Sequence, residues 1–208
     1  LLVPVYVDAW LVTRRPLYRR VVEHTLDFVR REMTDPGGGF LSSLVADSEG
    51  VEGKFYDWTP DEVREALGED DARLFSRVFG ITEPGNFEGR SIPNLLGGSL
   101  EEQAGAMGMS ESDLVARVAP LRERMLEARA RRVRPATDDK VLAAWNGLMI
   151  TAFCRAYQAF GRGEDLGSAV AAARSVRERL RPHKRLRVSY RDGPAQLDPY
   201  LDDHAFLV

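Results

Sequence analysis

The sequence contains little cysteine, and this shortage excludes two kinds of structure. Cys154 is the only cysteine among 208 residues, so the chain can form no internal disulfide and no thiolate zinc centre. It lies in an apolar helical pattern, where cysteine is usually a small hydrophobic side chain. A single buried thiol fits a reducing compartment, and we therefore expect a cytoplasmic protein. Nothing in the sequence predicts a metal ion or a cofactor.

A strong excess of one charge is also missing. The formal net charge is −3 and the isoelectric point is about 5.7, so nothing in the overall balance attracts nucleic acid or an anionic membrane. The basic run "RARRVRPATDDK" is followed at once by acids, which favours a solvated helix end. No stretch is apolar for long enough to span a bilayer, and no signal peptide is visible. We therefore predict neither a nucleic-acid partner nor a membrane partner.

Apolar residues at helical spacing run through most of the chain, which predicts an all-α fold with small β-hairpin insertions. Thr59 as N-cap and Pro60 at the first helical position mark one helix start, and "TDPGGGF" marks one helix end. Residues 40–58 predict a β-hairpin, and residues 185–200 predict a short strand and turn. The alternation of strands and crossover helices that a parallel sheet needs is missing. The predicted helices cover residues 2–13, 17–33, 60–67, 71–78, 111–132, about 140–160 and 167–180, with a last helix beginning near 201.

Acidic and aromatic side chains are interleaved on the predicted hairpin. Carboxylates accept hydrogen bonds from sugar hydroxyls and aromatic rings stack on the apolar face of a sugar, so this mixture is typical of a carbohydrate site. The alternative is an acidic turn held in water, with the two aromatic rings packed inward. The candidate substrate-binding residues here are Asp47, Glu49, Lys54, Tyr56 and Trp58.

A second candidate region is "ATDDKVLAAWNGLMI", residues 136–150. Asp138 and Asp139 precede the predicted helix, and one of them suits an N-cap. The second carboxylate, beside a lysine, is a candidate general acid or base. We expect Trp145 to join the apolar stripe of the helix. Asn146 lies one step off that stripe and must find hydrogen-bond partners or a ligand.

The paired-acid pattern recurs at the start of the last predicted helix, as Asp202 and Asp203 followed by His204. Each acid pair alone is explained by helix capping. If the two pairs converge, they supply the two carboxylates that glycoside hydrolysis requires. His204 is a candidate proton shuttle or a structural residue beside a cap.

Four strings together resemble one family, in one order along almost the whole chain. They are "GGGFLSSLVADSEGVEGKFYDWTPDEV", "GITEPGNFEGRSIPNL", "RPATDDKVLAAWNGLMI" and "YLDDHAFLV". The family is that of thioredoxin-domain proteins that includes spermatogenesis-associated protein 20 and the bacterial YyaL-like proteins. Two residues depart from its pattern: Val45 stands where an acid is usual, and His204 where a tyrosine is common.

The resemblance implies an (α/α)6 toroid similar to six-hairpin glycosidases and N-acylglucosamine 2-epimerases, preceded in the intact protein by a thioredoxin-like domain. The chain, residues 1–208, is then expected to be a fragment of a single toroid domain, without the thioredoxin-like domain and the terminal toroid helices. Such a fragment would expose apolar helix faces and self-associate through them. The resemblance also implies that the two acid pairs, Trp145 and Asn146 surround a central cavity.

Two functions follow from the resemblance. One is a domain that binds or processes a sugar or sugar acid, either as a carboxylate hydrolase or as an epimerase or isomerase. The other is a non-catalytic scaffold or client-binding domain that serves the thioredoxin-like domain. Fold alone does not choose between them.

Overall fold

The computed structural model of the chain describes residues 1–207, and most of these residues are helical. The strands are short and pair antiparallel, which confirms the prediction of an all-α fold with small β insertions. The helices are α1 (Leu2–Thr13), α2 (Pro16–Glu32), α3 (Pro60–Leu67), α4 (Glu69–Phe79), α5 (Leu100–Ala106), α6 (Glu111–Ala130), α7 (Ala143–Phe160), α8 (Gly163–Arg179) and α9 (Leu201–Ala205). The strands are β1 (Leu41–Leu44), β2 (Asp47–Ser48), β3 (Val51–Glu52), β4 (Thr137–Leu142) and β5 (Ser189–Tyr190).

The chain divides into two compact units. Unit 1 comprises residues 1–44 and the residues from 137 onward, and unit 2 comprises residues 45–136. Unit 2 is therefore an insertion in the sequence of unit 1.

Helices α1, α2, α7 and α8 form the main core of unit 1. Their apolar residues recur at helical spacing, so each helix presents one stripe for burial. Val22 and Leu26 of α2 and Phe153 of α7 are fully buried in this core. The rings of Phe40 and Phe153 stack with centroids 5.2 Å apart, which joins the segment before β1 to the centre of α7.

A three-stranded sheet with the order β1-β4-β5 lies beside these helices in unit 1. Both pairings are antiparallel, with Leu41 opposite Val141 and Val141 opposite Tyr190. The side chain of Val141 is buried against α8 residues such as Val176. The central strand β4 runs directly into α7 and therefore fixes where that helix starts.

Unit 2 contains α3 to α6 and the hairpin β2–β3. Thr59 begins α3 with a complete capping box: its hydroxyl accepts from the N–H of Glu62, and the Glu62 carboxylate accepts from the N–H of Thr59. Ser99 forms the same motif at the start of α5, a helix that the sequence did not predict. The core of unit 2 is built by residues of α3, α4 and α6, among them Val63, Phe75 and Leu121.

Three sequence expectations about the start of α7 are wrong. Asp138 and Asp139 lie within strand β4 and do not cap the helix, because β4 pairs with two strands that are distant in sequence. Trp145 is 55% exposed although Ala144 and Asn146 on either side of it are buried, so its side chain leaves the helix on a face that the core does not cover. Asn146, expected just off the core face, is fully buried.

Candidate functional site

Unit 1 contains a cavity of about 460 Å³ that we call the basic cavity. Its lining combines an apolar floor with a positively charged rim. No carboxylate occurs among the described lining residues. The floor consists of Gly147, Ile150, Ala173, Val176, Leu186, Phe206 and Leu207, and the polar rim of Thr151, Arg177, Arg181, Lys184 and His204.

Helix α7 supplies one wall of the basic cavity. Gly147, Ile150 and Thr151 are spaced at i, i+3 and i+4, so they lie on one face of the helix. Trp145 projects from a different face, since it lies two residues, or roughly 200°, from Gly147 around the helix. The exposed indole therefore does not belong to this cavity.

The end of α8 and the turn after it supply the cations. Arg177 lies in the last turn of α8, and Arg181 and Lys184 follow its end. The turn Pro182–Lys184 holds His183 and Lys184 at φ 52° and 64°, a left-handed conformation that is unfavourable for residues with a side chain. A hydrogen bond from the N–H of Arg187 to the carbonyl of Leu180, 2.8 Å long, closes this turn.

Helix α9 and the residues after it form the third wall, with His204 and Phe206. The buried Asp203 carboxylate attaches α9 to α7: Oδ1 accepts from the N–H of Ala144 at 3.2 Å and Oδ2 accepts from the N–H of Tyr200 at 2.9 Å. The carbonyl of Phe206 approaches α7 so closely that a Cβ on Gly147 would lie 2.2 Å from its oxygen. Glycine is therefore required at position 147 for this wall to form.

The charged side chains that line the basic cavity are all positive. Arg177, Arg181 and Lys184 bring about three positive charges, whereas the C-terminus of α8 contributes only about half a negative charge. Glu178 is 3.8 Å from Arg177, and both side chains are mostly exposed, so this pair neutralises little of the charge. An anion in the cavity meets a net positive field over an apolar floor.

The acid pair of β4 is held by cations. Lys140 Nζ lies 3.1 Å from Oδ2 of Asp138, and this hydrogen bond lowers the pKa of Asp138 below its ordinary value. Asp138 is therefore a carboxylate at neutral pH and not a proton donor. Arg191 Nε lies 2.5 Å from Oδ1 of Asp139, a charge contact without hydrogen-bond geometry. Neither carboxylate lines the basic cavity.

Asn146 has the partners that a structural role requires. Its Oδ1 accepts from the N–H of Phe40 at 2.8 Å, and its Nδ2 donates to the carbonyls of Phe40 and Leu142, both at 2.9 Å. The side chain thereby pairs with the backbone before β1 and with the last residue of β4. These three hydrogen bonds are all internal, so Asn146 holds the fold together at the strand–helix junction.

The second acid pair is divided between two roles. Asp203 is buried and bonded to the two backbone N–H groups described above, whereas Asp202 is exposed and its Oδ1 accepts from the N–H of Asp203 at 3.1 Å. Of the five predicted catalytic residues, only His204 lines the basic cavity. Sequence reasoning missed Arg177, Arg181 and Lys184; the signal was the string "RERLRPHK", which places several cations around one helix end.

The predicted hairpin residues lie in unit 2, and their aromatic rings pack inward. Trp58 is buried, with the Arg132 guanidinium 3.6 Å from its ring centroid. The Tyr56 ring packs edge-on against Phe55. These contacts agree with the alternative of an acidic turn over packed aromatics, because the face of Trp58 is covered. Asp47 is exposed, whereas Glu49 and Lys54 line a separate cavity of unit 2.

Comparison with known proteins gives a family relationship. Spermatogenesis-associated protein 20 of Mus musculus is 28% identical over 200 residues, a match that covers 85% of this chain and 25% of the mouse protein. The human protein of the same name is 27% identical over 238 residues, covering 98% of this chain and 30% of the human protein. The chain is similar in sequence to spermatogenesis-associated protein 20 over most of its own length. This confirms the resemblance inferred from the four sequence strings.

The homology is broad along this chain but covers only part of the relatives. An uncharacterised protein of Caenorhabditis elegans is 29% identical over 220 residues, which is 90% of this chain and 30% of that protein. The chain thus spans less than a third of the length of these relatives. No family model matches it. The link to a thioredoxin-like domain therefore stays a prediction.

In the part of the chain that the structure describes, no helix is long and apolar enough to cross a membrane. Within residues 1–207, no group of three or more histidine, cysteine or acidic side chains is arranged to hold a metal ion.

Proposed function

We propose that the chain is a binding domain for a small anionic carbohydrate, a sugar acid, which occupies the basic cavity of unit 1. The observation that carries the proposal is the convergence of Arg177, Arg181, Lys184 and His204 on one apolar floor. Arginine and lysine bind a carboxylate through charge-assisted hydrogen bonds. The volume of about 460 Å³ suits a small molecule.

A sugar acid fits both parts of the lining. Its carboxylate would face the cations, and its hydroxyls would reach the side chains of Thr151 and His204. The carbon face of its ring would lie on Ile150 and Phe206. The resemblance to families with an (α/α)6 toroid, many of which act on carbohydrates, supports this ligand class by analogy only. We propose on the same ground that the chain is part of such a toroid.

We propose binding in preference to hydrolysis or epimerisation. Hydrolysis needs one protonated and one ionised carboxyl group facing the substrate, and the described lining of the basic cavity contains no carboxyl group. A proton shuttle between two imidazoles would need a second histidine, and His204 is the only one among the described lining residues.

The proposal is tested by measuring the thermal shift of the full chain with glucuronate and with glucose at constant ionic strength. We expect a saturable rise in Tm with glucuronate and a much smaller one with glucose. Arg181→Gln should weaken glucuronate binding about tenfold, because it removes one charged contact worth about 1.4 kcal/mol. Arg174→Gln is the matched control, since Arg174 is exposed on α8, the helix that precedes Arg181, and lies outside the cavity lining.

Two results would refute the proposal. The first is an equal response to glucuronate in Arg181→Gln and in the unmodified chain. The second is a response to glucose as large as that to glucuronate, since the charge of the cavity would then be irrelevant.

A second candidate function, a scaffold or client-binding domain, is favoured by one observation. Several large apolar side chains of α1 are exposed, among them Leu2, Val5 and Val12. Exposed apolar surface supports association with another protein or with a second copy of the chain. This candidate predicts a concentration-dependent mass in analytical ultracentrifugation that Val5→Glu with Val12→Glu would abolish, and an unchanged monomer mass would exclude self-association.

A further inference from the structure

Unit 2 contains its own cavity, of about 500 Å³, which we call the hairpin cavity. It lies between the β2–β3 hairpin, the start of α3 and the segment that follows α6. Its lining combines four cations with three carboxylates and is therefore chemically different from the basic cavity. The residues at its opening are Glu49, Val51, Lys54, Arg131 and Val133, in front of a wall formed by Asp57, Glu62, Arg90 and Arg132.

The wall of the hairpin cavity is a set of charges that satisfy one another. Arg90 donates to Asp57 at 2.6 Å and to Glu62 at 2.5 Å, and Arg132 donates to Glu62 at 3.3 Å. Arg132 also donates to the backbone carbonyls of Lys54 and Asp57. The side chain of Asp57 is only 3% exposed. These groups are fixed and paired, so they shape the cavity and leave ligand binding to the residues at its opening.

One exposed ion pair lies at the opening of the hairpin cavity. Lys54 Nζ lies 2.8 Å from Oε2 of Glu49, and each side chain is 46% exposed. A pair this exposed contributes little to stability, because water and salt screen its charges. A ligand that offers each partner a new opposite charge can therefore replace it at little cost.

Glu49 stands at a backbone position that disfavours it. It and Gly50 form the two-residue turn between β2 and β3, and both have positive φ, 53° and 77°. Asparagine, aspartate or glycine is usual at the first of these positions, because other side chains are strained at positive φ. The turn itself does not need a glutamate, so the carboxylate at the opening requires another explanation.

Two apolar side chains flank the same opening. Val51 is 46% exposed and Val133 is 57% exposed. The hydroxyl of Ser48 donates to the carbonyl of Val133 at 2.6 Å, which fixes the hairpin against the segment after α6. An aliphatic group placed between the two valines would remove apolar surface of both from water.

We propose that the hairpin cavity binds a free α-amino acid with an aliphatic side chain. The carboxylate binds Lys54 and Arg131, the ammonium group binds Glu49, and the side chain lies between Val51 and Val133. A simple anion is a poorer ligand, because drawing Lys54 to it would leave the Glu49 carboxylate without its cation. A zwitterion replaces both halves of the original pair. This site does not depend on the sugar-acid proposal for unit 1.

The test is a titration of the ¹⁵N-labelled full chain with L-leucine, followed by NMR chemical-shift changes of residues 48–54 and 131–133. We expect saturable shifts with leucine. N-acetyl-leucine lacks the ammonium charge and leucinamide lacks the carboxylate, so each should bind at least tenfold more weakly. Glycine should also bind more weakly than leucine, because it lacks the aliphatic side chain.

Variants locate the site. Glu49→Gln and Lys54→Gln should each weaken leucine binding at least tenfold, whereas Glu52→Gln, on the same hairpin but outside the cavity lining, should not. Both cavity residues are exposed, and an unchanged spectrum outside the hairpin would show that the variants fold. The proposal is overturned if leucine causes no saturable shift, if N-acetyl-leucine binds as tightly as leucine, or if Glu49→Gln binds leucine normally.

Discussion

The carboxylate of Asp203 accepts a hydrogen bond from the backbone N–H of Ala144, 59 residues earlier in the sequence. The residue that caps the start of α7 therefore comes from another helix, although Asp138 and Asp139 lie only a few residues before α7 in the sequence. The same carboxylate accepts from the N–H of Tyr200 at the start of α9. One buried side chain thus satisfies donors of two helix starts.

Removing that carboxylate should lower the stability of the chain. Asp203→Ala leaves two N–H groups without an acceptor, and we expect a loss of about 1–3 kcal/mol in the free energy of unfolding, measured by urea denaturation. The stability of Asp203→Asn should lie between that of the unmodified chain and that of Asp203→Ala, since an amide has one acceptor oxygen for the two donors. The comparison is Asp202→Ala, which should cost less, because the Asp202 carboxylate is exposed and accepts one hydrogen bond, from the N–H of Asp203. A larger loss for Asp202→Ala than for Asp203→Ala would contradict the assignment.

Asn146 should tolerate no acidic replacement. In Asn146→Asp a carboxylate oxygen would face the carbonyls of Phe40 and Leu142, to which Nδ2 now donates. We expect a loss of roughly 3 kcal/mol or more, since a charge would be buried against two acceptors. Gln158→Glu makes the same amide-to-acid change at an exposed position of α7 and should alter stability by less than about 0.5 kcal/mol. Equal melting temperatures for the two variants would disprove a structural role for Asn146.

Two glycines on neighbouring helices should respond to alanine with opposite signs. In Gly147→Ala the new methyl group would meet the carbonyl oxygen of Phe206, so the segment after α9 must move and the wall of the basic cavity is lost. A methyl group added at Gly167 in α8 would meet no described atom within 4 Å beyond the backbone of its own helix, and Gly167→Ala should stabilise the chain by about 0.5–1 kcal/mol. Differential scanning calorimetry of both variants decides this, and a stabilised Gly147→Ala would be incompatible with the close approach of Phe206.

Glu62 should make the stability of unit 2 depend on pH under acidic conditions. Burial raises its pKa, but hydrogen bonds from Arg90 and from the N–H of Thr59, with the charges of Arg90 and Arg132, outweigh burial and lower the pKa below the ordinary value of 4.5. A carboxylate with a depressed pKa in the folded state stabilises the fold at pH values above 4.5. This contribution is lost as the pH falls through the lowered value.

The measurement is the difference in unfolding free energy between the unmodified chain and Glu62→Gln, from pH 7 down to pH 3. We expect the difference to be constant near neutrality and to shrink below about pH 4.5. Glu65→Gln, at an exposed position of the same helix, is the control. A difference that grows on acidification would show that folding does not lower the pKa of Glu62.

Helix α3 could be predicted from the sequence because its start signal is local, whereas α5, with the same kind of signal at Ser99, was missed. Thr59, Pro60 and Glu62 form the start of α3 within four residues, so local pattern was sufficient there. The start of α7 could not be predicted in this way. The segment "TDDKVL" becomes a strand only because Leu41 and Tyr190 lie on either side of Val141, and neither partner is close in sequence.

In the candidate sites, too, some residues could be found from the local sequence and others could not. His204, Glu49 and Lys54 were singled out from the sequence because they are chemically distinctive in their local strings, and each lines a cavity. Arg181 and Lys184 were missed because cations near a helix C-terminus are already explained by the helix dipole. Only the packing of α9 beside them turns that helix end into one rim of a cavity.

The position of unit 2 within the chain also bears on how unit 1 folds. Strands β1 and β4 are separated by an insertion of about ninety residues, and closing a flexible loop of that length costs about 4 kcal/mol of entropy. In the folded insertion, however, the N–H of Val45 donates to the carbonyl of Ala136 at 2.8 Å, so its first and last residues are already neighbours. Once residues 45–136 have folded, the pairing of β1 with β4 becomes a short-range event, and a large part of that loop entropy is no longer lost in forming the central sheet.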